Sequence, residues 1–374
     1  MFKNLRELIT SMPDETTCRN YLIKERWNGV IRCPYCSCER VTVIEGGKRF
    51  KCNHKDCRKN FSVQVGTIME ASKIPLTKWL TAIYLVTAHK RGISSYQLGR
   101  DLGISQKSSW FMLHRIREML RIKEDIVLGE HSPVEADETF IGGKYGNMHN
   151  SKRNKFLEAG DNFANKTTVL GIIERTGNLV AKVMTNNAVA IPHTIAETVK
   201  KKATLITDSS NLYNRIAHSY NYHSVNHSMQ EYVKENNIHT NSIEGAFSHL
   251  KRMVIGTYFQ ISSKHTQRYC DEFAYRYNSR KIKDADRFVL SLNRIEGRLT
   301  YKALIAAVSP KQVVLKEKPA NRYKGVIQLS GDEIVGHYKS VQAAAQATGF
   351  NKTNIAKVCK GIRKSAGGFD WIYA

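Results

Sequence analysis

The stretch SPVEADETFIGGK, residues 132–144, decides the fold class. It reads as the first of several β-strands, and an acid, Asp137, stands inside it between Ala136 and Glu138. Three further segments work outward from it. Residues 167–185, TTVLGIIERTGNLVAKVMT, read as two strands around a turn, and PHTIAETVKKKA, residues 192–203, reads as a helix. The apolar run TLIT follows and ends on Asp208, the place where sites of open α/β sheets gather. Strands, helix and strand in this order predict an α/β fold, a mixed sheet with helices on its faces.

A second acidic segment, HTNSIEGAFSHLKR, spans residues 239–252. Asn241 precedes Glu244 by three residues, the spacing of a helix cap and the glutamate that reaches back to it. Glu244, Ser248 and Lys251 also share one helical face. Glu244 is therefore either a cap or a metal-holding carboxylate. Together with Asp137 and Asp208 it makes a candidate set for two Mg²⁺ (or Mn²⁺) ions, which need several carboxylates converging from different elements to clamp a phosphodiester. Glu135 shares the strand face of Asp137 by two-residue alternation, as a solvated glutamate or a neighbour of the metals. His218, His223, His227 and His239 flank the segment and are expected on the surface or at caps, since Mg²⁺ prefers oxygen.

Charge narrows the partners. Lysine and arginine number 58 against 33 acids, a net +25 over 374 residues. Such an excess repels itself unless it meets a polyanion, and nucleic acid is the expected one. No apolar run reaches the roughly 18 residues that span a bilayer, and residues 1–15 lack a secretory pattern, so no membrane partner and a cytoplasmic, nucleoid-associated location are expected.

Five of the eight cysteines lie in residues 33–57, CPYCSCERVTVIEGGKRFKCNHKDC. Cys33 and Cys36, then Cys52 and Cys57, form two knuckles joined by a strand-turn-strand pattern, a zinc-ribbon spacing for structural Zn²⁺. The second pair is C-x4-C, so His54 can replace a ligand and Cys38 can compete. Arg32, Lys48, Arg49, Lys51 and Arg58 surround it, as a DNA grip requires. Residues 75–120 then turn helical: Leu76, Leu80, Ile83 and Tyr84 mark one helix, Ser94 or Ser95 caps a second, Gly103 turns the chain and Ser105 caps a third. This is either a plain three-helix unit or a helix-turn-helix that points Gln106, Lys107, Ser108 and Ser109 at bases. The run KYGNMHNSKRNKF, with Lys144, Lys152, Arg153 and Lys155, reads as a basic loop beside the acids.

The combination of VEADETFIGGK, LITDSSNLY and HTNSIEGAFSHLKR behind a zinc ribbon, with the later RLTYKALI, resembles the DDE transposases of bacterial insertion sequences related to the Merlin superfamily, over roughly residues 10–305. The resemblance implies a ribonuclease-H-like catalytic core, divalent-metal strand transfer and a triad at Asp137, Asp208 and Glu244. Lys251 matches a basic residue that such enzymes set along the helix, with Arg252 beside it as a DNA contact. Some members of the group carry Asn as the third signature residue, so Asn241 stands as the alternative or auxiliary ligand.

After LKEKPANRYKG, a linker by its charge and Pro319, residues 326–374 read as a compact unit. Two strands turn at Ser330-Gly331, Ser340 caps a helix that Gly349 ends, and Asn351 or Thr353 starts another carrying Lys352, Asn354, Lys357 and Lys360. It resembles the small modular DNA-binding repeats of homing endonucleases. The expected organisation is a zinc ribbon (1–65), a helix-turn-helix region (66–128), a catalytic domain (129–312), a linker (313–324) and a DNA-binding module (325–374). The expected function is a transposase acting on its element's terminal repeats and on target DNA as a homodimer or larger assembly. A catalytically inactive DNA-binding regulator and a homing-type endonuclease are the alternatives.

Overall fold

The computed structural model describes residues 2–121, 126–143, 149–151, 153–154, 166–185, 187–225, 237–306, 326–331, 333–338, 340–360 and 362–373. The chain forms two compact units, Met1–Ala306 and Ala307–Ala374.

The first unit opens with helices α1 (Leu5–Ser11) and α2 (Glu15–Trp27). Asp14 starts α2 by accepting the amides of Thr16 and Thr17 at 2.8 and 2.9 Å. A small antiparallel sheet follows, β1 (Val41–Ile44), β2 (Arg49–Cys52) and β3 (Asn60–Phe61), with Phe50 and Phe61 buried between it and the cysteine knuckles. Three helices come next, α3 (Leu76–Ala88), α4 (Ser95–Leu102) and α5 (Gln106–Leu120). The sequence signals for them act as expected: Ser94 accepts the Gln97 amide, Ser105 accepts the Ser108 amide, and Gly103 takes the left-handed conformation (φ 59°) that ends α4. Leu80, Ile83, Leu98, Met112 and Ile116 join one core.

The central sheet is mixed α/β, as the sequence predicted. Its strands are β4 (Val134–Gly142), β5 (Lys166–Glu174), β6 (Leu179–Met184), β7 (Thr204–Asp208) and β8 (Asn221–Val225), in the order β6-β5-β4-β7-β8. The first three pair antiparallel, while β7 runs parallel to both β4 and β8. Helix α6 (Asn187–Thr198) covers one face through Ile191 and Ile195, against Val134, Ala136, Leu170 and Ile172. Helices α7 (Asn241–Met253) and α8 (Thr266–Asn278) cover the other, through Ile243, Phe247, Leu250, Tyr269 and Phe273 against Ile141, Val169 and Ile173. The stretch around α8 thus closes the core. Helix α9 (Asp284–Leu292) returns to α3 through Phe288, and α10 (Tyr301–Ile305) ends the unit.

The α8 segment also carries a buried charge network. Glu272 accepts from Arg117 Nε of α5 at 2.6 Å and from the Tyr258 hydroxyl at 2.6 Å, and it pairs with Arg276. The Arg117 guanidinium lies over the Tyr269 ring at 4.0 Å. A charge so buried is tolerable only because opposite charge and hydroxyl donors meet it.

The second unit is a three-stranded antiparallel sheet, β9 (Val326–Ser330), β10 (Glu333–Tyr338) and β11 (Asp370–Tyr373), in the order β10-β9-β11, with helices α11 (Val341–Thr348) and α12 (Lys352–Cys359). Ser340 caps α11 by accepting the Ala343 amide, and Asn351 caps α12 through the Thr353 amide. Trp371, Val326, Ala344 and Ile355 form its core. Strands β8 and β11 are additions to the elements read from the sequence.

Candidate metal centres

Two groups of ligating side chains stand in the first unit. The first is Cys33, Cys36, Cys52 and Cys57, all four sulfurs within 4.8 Å of one another. The Sγ pairs Cys33/Cys57 and Cys36/Cys52 lie 3.7 and 3.5 Å apart. A tetrahedron of thiolates around zinc, with Zn–S of about 2.3 Å, has edges of about 3.8 Å, so the set fits structural Zn²⁺. Cys38 and His54 lie outside the group: Cys38 Sγ accepts the Arg40 amide and His54 Nδ1 the Asp56 amide.

The second group is acidic. Asp137 of β4 and Asp208 at the end of β7 are brought together by the parallel pairing of Ala136 with Thr207, one residue before each. Glu138 joins them, with one carboxylate oxygen from each of the three within 4.8 Å of the others. Beyond Asp208 the β7 strand stops while β4 continues to Gly142, which leaves room at the strand end for the Glu138 carboxylate. Tyr213, fully buried, donates to Glu138 Oε1 at 2.7 Å. Burial pushes Glu138 up to about 7, the charges of Asp208 and Asp137 add to this, and the Tyr213 hydroxyl opposes it. Oxygen donors converging in this way suit a hard divalent cation.

Glu138 and Tyr213 were not singled out from the sequence. Strand alternation assigns Glu138 to the face opposite Asp137, and only the end of β7 lets the two carboxylates meet. The available signal was the acidic pair itself, inside a strand.

Glu244 lies exposed in the first turn of α7 and outside this group. The expected cap geometry is not formed. Asn241 is the first residue of the helix, Thr240 stands at the cap position, and its hydroxyl donates to Glu244 Oε1 at 3.2 Å. The amides of Ser242 and Ile243 are instead taken by Glu135 Oε2, at 2.8 and 3.0 Å. Glu135 is fully buried and so is neither a solvated strand residue nor part of the acidic group. A carboxylate supplied by the sheet outcompetes the local Asn241 signal because negative charge at a helix N-terminus is stabilising.

Lys251 and Arg252 are exposed on α7, and Lys107 is exposed in the first turn of α5. Ser109, expected to face bases, is buried with its hydroxyl donating to the Ser105 carbonyl, and Gln106 donates to Ser95. Arg153 is half-buried in a helical turn rather than a loop, and its amide donates to the His149 carbonyl. Lys144, Lys152, Lys155 and His227 lie outside the described residues. His218 is exposed, and His223 and His239 are half-buried; none joins a ligand group. In the second unit Lys357 and Lys360 are exposed on and just after α12. No described helix is long and apolar enough to cross a membrane.

Comparison with known families matches residues 127–278 to the ISXO2-like transposase domain and residues 13–60 to a transposase zinc-ribbon domain. The chain is 27% identical over 260 residues to an uncharacterized protein in the transposable element ISH50 of Halobacterium salinarum, covering 65% of this chain and 84% of that protein. No solved structure matches.

Proposed function

We propose that this chain, which belongs to the zinc-ribbon DDE transposases of insertion sequences, binds the terminal repeats of its own element, cuts there and joins the freed 3′ ends to target DNA. The observation that carries the reading is the meeting of Asp137, Glu138 and Asp208 on neighbouring parallel strands. The sheet order, antiparallel on one side of β4 and parallel on the other with helices on both faces, supports a ribonuclease-H-like core.

Asp137, Asp208 and Glu138 would hold Mg²⁺ or Mn²⁺, with Glu244 as the third member of the triad and Asn241 as its neutral alternative or auxiliary. Bound divalent cations supply the charge that activates water and neutralises the oxygens of a scissile phosphodiester. Lys251 and Arg252, on the exposed side of α7, meet backbone phosphates and set the strand alongside the acids. Helices α4 and α5 act as a helix-turn-helix with Lys107 at the leading end, and Lys152, Arg153 and Lys155 supply charge for DNA phosphates. Cys33, Cys36, Cys52 and Cys57 would hold a structural Zn²⁺ that fixes the ribbon fold, and the basic residues around it would grip the duplex. Lys357 and Lys360 give the second unit a phosphate-binding edge. Two element ends must be joined, so the working form is a homodimer or larger, in the cytoplasm and on the nucleoid.

The test is nicking and joining of a labelled duplex carrying the element's end, with Mg²⁺ or Mn²⁺. Loss of both in Asp137→Asn and Glu244→Gln, with partial activity in Asn241→Ala, is expected. An active Glu244→Gln with an inactive Asn241→Ala moves the third ligand to Asn241. Binding without any cutting overturns the catalytic reading in favour of a regulator, and cutting without joining favours a homing-type endonuclease.

A further inference from the structure

We propose that the buried Glu135 and the half-buried Arg175 form a latch that sets Glu244 in place relative to Asp137, a positioning role that rests on the transposase reading of the acids. Glu135 lies two residues before Asp137 on β4, so the two side chains leave the same face of one strand. Its Oε2 accepts the amides of Ser242 and Ile243, the two residues directly before Glu244. Its Oε1 accepts from Arg175 Nε at 2.6 Å.

Arg175 follows the end of β5, and its other nitrogens reach the approach to the same helix. Nη1 donates to the Asn237 carbonyl at 2.8 Å and Nη2 to the His239 carbonyl at 3.0 Å. The His239 Nδ1 stands 3.2 Å from Nη2 and 3.4 Å from Glu135 Oε1. One carboxylate and one guanidinium therefore tie the start of β4 and the end of β5 to residues 237–243. Charge-assisted hydrogen bonds of this kind are short and directional, which suits them to fixing a helix start rather than merely attracting it. Both oxygens of Glu135 are engaged, so it serves the site without offering a ligand atom. Strand β4 thus carries Asp137 and, two residues earlier, the group that anchors the helix of Glu244.

The proposal is tested by iron-directed backbone cleavage of the full zinc-loaded chain. Fe²⁺ replaces Mg²⁺, ascorbate and peroxide generate radicals at the bound ion, and the cuts are mapped by mass spectrometry. In the wild type, cuts are expected near Asp137, near Asp208 and in the first turn of α7. In Glu135→Gln, which keeps the side-chain shape, the cuts near Asp137 and Asp208 persist and those in α7 are lost. Unchanged α7 cuts in a folded Glu135→Gln overturn the latch and leave the metal site standing. Absence of cuts near every acid in the wild type overturns the metal-site reading itself, and the latch with it. Arg175→Lys, which cannot bridge Glu135, Asn237 and His239 together, gives the same reading should Glu135→Gln fail to fold.

Discussion

Asp137 and Gly171 stand opposite each other in the β4–β5 ladder, and the absent side chain at Gly171 is where α7 comes down on the sheet. A Cβ there would lie 2.6 Å from Ile243 Cδ1 and 2.7 Å from the Phe247 ring. Gly171→Ala must therefore displace the Ile243 and Phe247 side chains, or α7 with them. The expected cost is about 1–3 kcal/mol, the usual range for overpacking a tight core. Urea unfolding measures it; an unchanged midpoint would show that Ile243 and Phe247 give way at no cost.

The zinc ribbon makes a sharper compositional prediction. One Zn²⁺ per chain is expected, retained in Cys38→Ser and His54→Ala and lost in Cys33→Ser, Cys36→Ser, Cys52→Ser or Cys57→Ser. Only the last four residues have their sulfurs gathered in one group. Metal content after dialysis reads this directly. Loss of zinc in His54→Ala alone would put the imidazole into the ligand set.

Glu272 should govern stability in acid. Burial raises its proton affinity, but the guanidinia of Arg276 and Arg117, helped by the Tyr258 hydroxyl, outweigh burial and hold it down at about 2. Its folded value is thus below the ordinary 4.5. The stabilisation is fully present above that ordinary value and is lost as pH falls through the window from 4.5 to about 2. Glu272→Gln leaves two buried guanidinia unmatched and is expected to cost about 3–5 kcal/mol at neutral pH. The loss should shrink toward pH 2, and a loss independent of pH would assign it to packing.

The sequence made some of this legible and hid the rest for identifiable reasons. Asp137 and Asp208 stand out because each interrupts or ends an apolar strand pattern, and Ser94, Gly103 and Ser105 announce helix ends through purely local chemistry. The anchoring role of Glu135 was hidden because its partners, Arg175 and the amides of Ser242 and Ile243, are distant in sequence and only the fold joins them. For the same reason the Asn241 capping pattern misled: a local propensity yielded to a tertiary carboxylate. Glu138 was hidden by strand alternation, which assigns it to the face opposite Asp137, although its carboxylate joins those of Asp137 and Asp208 in the fold.

His114 of α5 offers a test in a different pH window. It is fully buried, and neither ring nitrogen has a hydrogen-bond partner among the described residues. Trp110, His265 and Tyr269 pack around its ring. Burial, with Arg117, His265 and Arg268 adding positive charge, pushes it down to about 2 from 6.5. The folded state therefore keeps a neutral imidazole while the unfolded chain takes up a proton below 6.5, so stability falls as pH drops from there toward 2. At pH 5 the penalty is about 2 kcal/mol, from one and a half units at about 1.4 kcal/mol each. His114→Phe keeps an aromatic ring, removes the proton-binding group and should flatten the decline between pH 6.5 and 5, a range in which Glu272 does not titrate. Chemical denaturation at several pH values separates the two. An equal decline in both proteins would assign the acid sensitivity to another group, with His265, itself pushed down to about 4 by burial and by Lys264, the next to substitute.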